Sequence, residues 1–194
     1  MVKAWAFWPT KRLAQVVLAP FFSIRVQGKE NLPRNTGFVL LPKHQRWVDI
    51  PLLSLAASRP LYYVAKYELF RIPPIGWYLK SLGGIPLNRA QPVRTKSSLQ
   101  KVLAALSSGQ GVVVFPEGTY YEGKIGPVRT GVIRFILNKI EVPYVPVGIH
   151  YRKGFWRTKV NIRFGAPIFA SSAPGLASFM EEIMKKIVGL SGLV

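Results

Sequence analysis

The stretch that decides the fold runs Gly37-Phe-Val-Leu-Leu-Pro-Lys-His44-Gln-Arg-Trp-Val-Asp49-Ile-Pro51. Its apolar first half is typical of a buried strand, and a helical pattern begins near its end. His44 and Asp49 therefore lie on the connection after the strand, where open α/β sheets usually bind their ligands. The chain has two histidines and no other aspartate, so this pair is the first candidate for acid/base chemistry.

Strands and helices are predicted to alternate from position 23 onward, which is typical of α/β architecture. Several strands, such as 111–115, are continuous apolar runs of the kind that helices cover on both faces. We predict a mostly parallel central sheet flanked by helices, in a single domain over residues 23–194. The predicted strands are 24–27, 37–41, 61–65, 84–88, 111–115, 144–150 and 159–164, and the predicted helices are 50–58, 75–82, 93–107, 128–139 and 176–188.

The composition limits the chemistry. Lysine and arginine outnumber aspartate and glutamate by 27 to 8, a formal charge of +19, so we expect a negatively charged partner. Nucleic acid, an anionic membrane surface, acidic substrates and acidic carrier proteins all fit the charge alone. The absence of cysteine excludes disulfides, thiolate nucleophiles and cysteine-based zinc sites, and no Gly-x-Ser-x-Gly elbow occurs. We therefore expect direct transfer chemistry, with no metal and no cofactor.

The first 22 residues combine tryptophan, basic and aliphatic residues, a composition that suits a membrane interface. The uncharged run between Arg12 and Arg25 contains Pro20 and is shorter than the roughly 20 apolar residues that cross a bilayer. We predict an amphipathic, membrane-associating segment over residues 1–22. The alternative is an amphipathic helix that packs on its own domain.

The spacing of His44 and Asp49 lets a turn bring the carboxylate against one imidazole nitrogen. The other nitrogen would then be free to accept a proton from a hydroxyl group. Two structural alternatives remain: Asp49 is well placed as a helix N-cap, and a loop histidine can be merely solvated.

Two other predicted strand ends carry polar residues. Glu117 could bind a substrate hydroxyl or hold a basic side chain, and Gly118 permits close approach of the backbone to a ligand. Arg89 could bind phosphate in a bidentate manner. Taken alone, Glu117 can equally be an exposed glutamate in a tight turn, and a lone arginine at a strand end is more often ordinary surface charge.

Together, four motifs resemble those of the glycerolipid acyltransferases, specifically the 1-acylglycerol-3-phosphate (lysophosphatidic acid) acyltransferases. The motifs occur in the order found in that family, and the similarity covers about residues 24–164. They are Lys43-His44-Gln-x-x-x-Asp49, Gly84-x-Pro-Leu-Asn-Arg89, Phe115-Pro-Glu117-Gly118-Thr119 and Val142-Pro-Tyr-Val-Pro146.

The resemblance implies that His44, oriented by Asp49, deprotonates the sn-2 hydroxyl of lysophosphatidate. The oxygen then attacks a fatty-acyl thioester of coenzyme A or acyl carrier protein, and phosphatidic acid is formed. The resemblance also implies that Pro146 shapes the floor of the site. The residues that would hold the glycerol phosphate are Arg89, Glu117, Gly118 and Thr119.

Three positions depart from the family pattern. Lys43 and Arg46 stand near His44, where small polar residues are common, and Tyr120 replaces the arginine that often follows Phe-Pro-Glu-Gly-Thr. We hypothesise that Arg46, Lys43 or Arg129 supplies the phosphate contact that is missing at position 120.

The expected partners are lysophosphatidate, the acyl donor and an anionic membrane surface, rather than nucleic acid. We expect a membrane-associated protein on the cytoplasmic face. The alternative functions are acyl transfer to another lysolipid or glycerol 3-phosphate, and a non-enzymatic basic binding module.

The segment 151–159 mixes aromatic and basic residues, as a nucleic-acid surface, a membrane-facing loop or a solvated hairpin does. His150 is expected to be structural.

Overall fold

The computed structural model of the chain describes residues 2–88, 92–172 and 175–193. These residues form a seven-stranded sheet with helices on both faces. The strands are β1 (Phe22–Gln27), β2 (Phe38–Pro42), β3 (Leu61–Lys66), β4 (Gly84–Leu87), β5 (Gly111–Val113), β6 (Tyr144–Arg152) and β7 (Thr158–Phe164). The helices are α1 (Ala4–Leu18), α2 (Asp49–Ala56), α3 (Pro73–Ser81), α4 (Pro92–Ser107), α5 (Gly131–Leu137) and α6 (Leu176–Ser191).

The strands follow the order β1-β7-β6-β2-β5-β3-β4, and among them only β6 and β7 pair antiparallel. The predicted α/β fold with a mostly parallel sheet is confirmed. Each predicted strand and helix is present, and the largest shifts are three residues, as at the start of α5 (predicted 128, observed 131). Such shifts are usual at the ends of helices and strands, where the terminal residues fray.

The central strand β2 is buried along its whole length. Phe38 and Leu40 belong to the core that α2 covers, whereas Val39 and Leu41 belong to the core beneath α4, α5 and α6. Because alternate residues of a strand face opposite sides of the sheet, a strand covered on both sides must be apolar throughout. This explains why the stretch that opens at position 37 has no polar residue before Lys43.

The first helix, α1, packs on the domain through the buried residues Ala6 and Phe7. The Lys3 N–H donates a hydrogen bond to the Ser81 carbonyl at 2.9 Å, which ties the helix to α3. Much of the remaining helix surface is exposed and carries large apolar side chains, which packing on the domain does not explain. Its exposed large apolar residues are Trp5, Trp8, Leu13, Val16 and Val17.

Across residues 2–88, 92–172 and 175–193, no helix combines the length and apolarity that crossing a bilayer requires. Membrane contact of the first 22 residues stays a prediction.

Candidate active site

The His44 imidazole lies just beyond the carboxyl end of β2 and faces the Asp49 carboxylate. Nδ1 of His44 is 2.8 Å from Oδ2 of Asp49, which is the first residue of α2 and is fully buried. An ionised carboxylate can only accept hydrogen bonds, so the imidazole proton is held on Nδ1. This leaves Nε2, on the other side of the ring, as the nitrogen that can accept a proton.

The Asp49 carboxylate is held by backbone as well as by side chains. Oδ2 also accepts hydrogen bonds from the N–H groups of Gln45 at 2.6 Å and Arg46 at 2.8 Å. Asp49 is not the N-cap of α2, because Val48 occupies that position and no side chain caps the helix. The carboxylate is turned back toward the loop, where it fixes the histidine.

The hydroxyl of Tyr151 donates a hydrogen bond to the other carboxylate oxygen, Oδ1 of Asp49. Burial, followed by the nearby Asp49 charge, raises the pKa of Tyr151, so the hydroxyl keeps its proton and remains a donor. Sequence reasoning missed this residue because it lies 102 positions from Asp49. Its place near the carboxyl end of a predicted strand was a usable signal.

The His44 ring is also fixed by aromatic neighbours. It stacks on Phe115, with ring centroids 4.0 Å apart, and the edge of Tyr120 approaches at 5.8 Å. These contacts leave the His44 side chain 11% exposed. The ring is therefore confined on its faces and at Nδ1, so Nε2 is presented in one orientation.

Lys43 and Glu117 form a buried ion pair beside the histidine, with side chains 0% and 1% exposed. Nζ of Lys43 donates to both Glu117 carboxylate oxygens at 2.9 and 3.0 Å, and to the carbonyls of His44 and Tyr121. Oε2 of Glu117 also accepts the Gly126 N–H at 2.7 Å. Both residues were predicted to contact substrate, with the alternative that Glu117 holds a basic side chain. Their polar groups bond to each other and to the backbone, and neither residue lines the cavity described below.

Arg46, another predicted phosphate contact, lies on the surface next to Glu122 and donates hydrogen bonds to its carboxylate. Its guanidinium also lies 4.8 Å from the ring centre of Tyr151. Arg46 does not line the cavity described next. The side chain packs against Tyr151, and its contact with the phosphate stays a prediction.

A cavity of about 610 Å³ opens at the carboxyl edge of the sheet, with His44 in its wall. Its position follows from the topology: β2, β5, β3 and β4 are neighbouring parallel strands, so their carboxyl ends meet at one edge. Two cationic side chains, Lys66 and Arg129, also line it. The remaining wall is mostly apolar and includes Ile50, Val64, Leu69, Leu87, Leu99 and Val132.

Three predicted ligand residues, Gly118, Thr119 and Arg129, line this cavity together with His44. Gly118 has a φ of +68°, a left-handed conformation that glycine adopts without strain. Arg89 lies outside the described residues. Sequence reasoning missed Lys66, although its position at the end of β3 was a usable signal.

The second histidine, His150, has a structural role: its Nδ1 lies 2.8 Å from the Ser191 carbonyl at the end of α6. Within residues 2–88, 92–172 and 175–193, no group of three or more His, Asp or Glu side chains is arranged to hold a metal ion. His44, paired with Asp49, lies in the wall of the cavity at this edge of the sheet.

A family model described as Acyltransferase matches residues 23–150, well over half of the chain. The chain belongs to the Acyltransferase family. This chain is 30% identical over 184 residues to the 1-acyl-sn-glycerol-3-phosphate acyltransferase of Bacillus subtilis. The matched residues cover 89% of this chain and 90% of that relative. The resemblance seen in the four motifs is thus confirmed at the level of the family.

Two further comparisons extend this result. The chloroplastic 1-acyl-sn-glycerol-3-phosphate acyltransferase BAT2 of Brassica napus is 36% identical over 140 residues, covering 71% of this chain but 40% of that relative. The crystal structure of the 1-acyl-sn-glycerophosphate acyltransferase PlsC from Thermotoga maritima superposes with a TM-score of 0.75 at 25% identity, covering 95% of this acyltransferase-family chain and 77% of that chain. The match thus spans less than half the length of the Brassica napus relative and nearly all of the Bacillus subtilis one.

Proposed function

We propose that this chain transfers a fatty acyl group from a thioester donor, acyl-CoA or acyl carrier protein, to the sn-2 hydroxyl of 1-acylglycerol 3-phosphate, giving phosphatidic acid. The observation that carries the proposal is the His44–Asp49 pair, with Nδ1 and Oδ2 2.8 Å apart, in the wall of a mostly apolar cavity that also carries two cations. The relatives named for this reaction support the same acceptor.

The proposed reaction is a direct transfer. Nε2 of His44 accepts the sn-2 hydroxyl proton while the oxygen attacks the thioester carbonyl carbon. The carbon–sulfur bond then breaks, and the imidazolium returns the proton to the departing thiolate. Asp49 stabilises the imidazolium and maintains the tautomer, so a positively charged histidine forms without loss of orientation.

The apolar wall of the cavity suits the acyl chain, and its cations suit the phosphate. We assign the phosphate to Arg129 and Lys66, with Gly118 and Thr119 shaping the wall beside it. Arg89 remains a proposed phosphate ligand on the strength of the motif. Lys43 and Glu117 are proposed to fix the loop that carries His44, because their buried contacts leave no free polar group for substrate.

Replacing Arg129 by alanine is expected to raise the KM for lysophosphatidate by about tenfold or more, because a hydrogen bond to a charged group contributes about 1.5–3 kcal/mol. The kcat should change little. The matched control is Arg134→Ala, an exposed arginine on α5 that does not line the cavity. Steady-state kinetics measure both constants. If Arg129→Ala and Arg46→Ala both leave this KM unchanged, neither arginine supplies the contact missing at position 120.

Replacing Tyr151 by phenylalanine is expected to lower kcat by up to about tenfold, with little change in KM, because the Asp49 carboxylate loses one of its donors. The matched control is Tyr63→Phe, since Tyr63 is a buried tyrosine whose hydroxyl contacts Ser54 at 2.6 Å instead. That variant should lose some stability and keep its kcat. Equal kcat values for the two variants would mean that Tyr151 does not act through Asp49.

We also propose that the chain works at an anionic membrane surface on the cytoplasmic face, with residues 1–22 as the associating segment and residues 23–194 as the acyltransferase domain. The exposed apolar side of α1 and the net charge of +19 support this arrangement. Nucleic acid is not a proposed partner.

The identity of the acceptor is tested by offering purified protein one acyl thioester with lysophosphatidate, another lysolipid or glycerol 3-phosphate. We expect the largest kcat/KM with lysophosphatidate. A larger value with either competitor would assign the chain to another reaction on the same scaffold. Thioester consumption that is independent of every acceptor would contradict the transfer proposal.

A further inference from the structure

The turn between β6 and β7 exposes two adjacent aromatic residues. Phe155 is 92% exposed and Trp156 is 87% exposed, and their rings meet edge to face with centroids 5.0 Å apart. The turn is short, since β6 ends at Arg152 and β7 begins at Thr158. The transfer of a large aromatic side chain out of water is favourable. An exposed aromatic pair at the tip of a hairpin is therefore typical of a contact surface.

The aromatic tip is surrounded by positive charge. Arg152, Lys153, Arg157 and Lys159 are all exposed, and the sequence from 151 to 159 contains no acidic residue. Amphipathic aromatic rings flanked by lysine and arginine match the boundary between acyl chains and anionic headgroups. The charge of the tip is therefore complementary to an anionic lipid surface.

The tip adjoins the carboxyl end of α1. The guanidinium of Arg157 donates a hydrogen bond to the Ala19 carbonyl at 3.2 Å, and the Thr158 N–H donates to the Phe21 carbonyl at 2.9 Å. Phe21 is itself exposed. These hydrogen bonds join the base of the aromatic tip to the segment that follows α1, which places the two exposed apolar regions next to each other.

We infer that the β6–β7 turn is a second membrane contact, in which Phe155 and Trp156 enter the interfacial region of an anionic bilayer next to α1. This membrane contact rests on the proposed function only because the contact and the proposed acyl transfer both require a lipid surface. The adjoining apolar residues at the end of α1 favour lipid over nucleic acid, because a nucleic-acid surface uses aromatic rings for stacking and has no use for exposed aliphatic side chains. Two linked contacts with the same membrane bind it more tightly than either contact alone.

The test compares two double variants of the full chain, Phe155→Ser with Trp156→Ser and Phe155→Leu with Trp156→Leu, by sedimentation with vesicles of phosphatidylcholine and phosphatidylglycerol. The dissociation constant for vesicles is expected to rise about tenfold or more in the serine variant. In the leucine variant it should stay close to the wild-type value. Equal binding of the serine variant and the wild type would overturn the inference. Both variants should keep the wild-type Tm, because the two side chains are exposed.

A second measurement locates Trp156 directly. Vesicles that carry brominated acyl chains should quench part of the wild-type tryptophan fluorescence, and Trp156→Phe should remove part of the quenched signal while keeping vesicle binding. Loss of only unquenched signal would mean that Trp156 stays in water. A duplex DNA that displaces the protein from vesicles, and that the serine variant no longer binds, would assign the turn to nucleic acid.

A third measurement separates this inference from the proposed reaction. With short-chain substrates that remain monomeric, the serine variant should turn over at the wild-type rate, because the turn does not line the cavity. If neither protein turns over such substrates, the reaction is in doubt while the vesicle and quenching results still decide the membrane contact. A fall in turnover of the serine variant alone would place the turn in the catalytic machinery and overturn its assignment as a membrane contact.

Discussion

Replacing Glu117 by glutamine is expected to lower the free energy of unfolding by about 3–5 kcal/mol, because it leaves the buried Lys43 charge without its counterion. The substitution also removes an acceptor. The Glu117 oxygens accept from both the Lys43 ammonium and the Gly126 N–H, whereas a glutamine has one acceptor oxygen and an NH₂ group that opposes a donor. Stability of about 5–15 kcal/mol is usual for a domain, so the loss should appear as a large fall in Tm and in the urea midpoint.

The matched control is Glu122→Gln, which makes the same change in an ion pair on the surface. The pair between Arg46 and Glu122 is well exposed, so its loss is expected to cost less than about 1 kcal/mol. Urea unfolding of both variants measures the difference. Similar small losses in the two variants would show that the Lys43–Glu117 pair does not stabilise the loop beside His44.

Replacing His44 by alanine is expected to lower kcat by about two to four orders of magnitude, the usual contribution of a general base. The fold should persist, because the His44 ring packs at the edge of the cavity rather than within either hydrophobic core. Measuring kcat together with Tm separates a chemical effect from unfolding. An Asp49→Asn variant should also lose activity, since an asparagine can donate to Nδ1 and so favour the wrong tautomer.

The control for this prediction is the other histidine. His150→Ala removes the contact with the Ser191 carbonyl and should lower stability while leaving kcat near wild type. A His44→Ala protein that is folded and turns over at the wild-type rate would exclude His44 as the base.

The fold was accessible from sequence because its central strands are nearly pure apolar runs, whereas β1 and β7 alternate apolar with polar residues. β2 and β5 could be recognised from Val39, Leu41 and Val112, which have no polar alternation to suggest exposure. The strand order could not be derived in the same way. It depends on pairings such as Leu40 with Val113, which are far apart in the chain and are selected by packing rather than by local pattern.

The site was accessible only in part. The pairing of His44 with Asp49 is local, so a spacing of five residues was enough to predict it. The burial of Lys43 was not predictable, because a lysine is normally exposed and its partner Glu117 lies 74 positions away. Tyr151 and Lys66 were missed because strand order, not sequence distance, brings Tyr151 to Asp49 and Lys66 to the cavity wall.

The most direct test of the proposed transfer is the stoichiometry of products from purified protein, an acyl thioester and lysophosphatidate presented in vesicles. We expect one phosphatidate for each thiol released, and thiol release that stops when lysophosphatidate is omitted. Thiol release at the same rate without acceptor, or phosphatidate that forms without thiol, would contradict the direct transfer to the sn-2 hydroxyl.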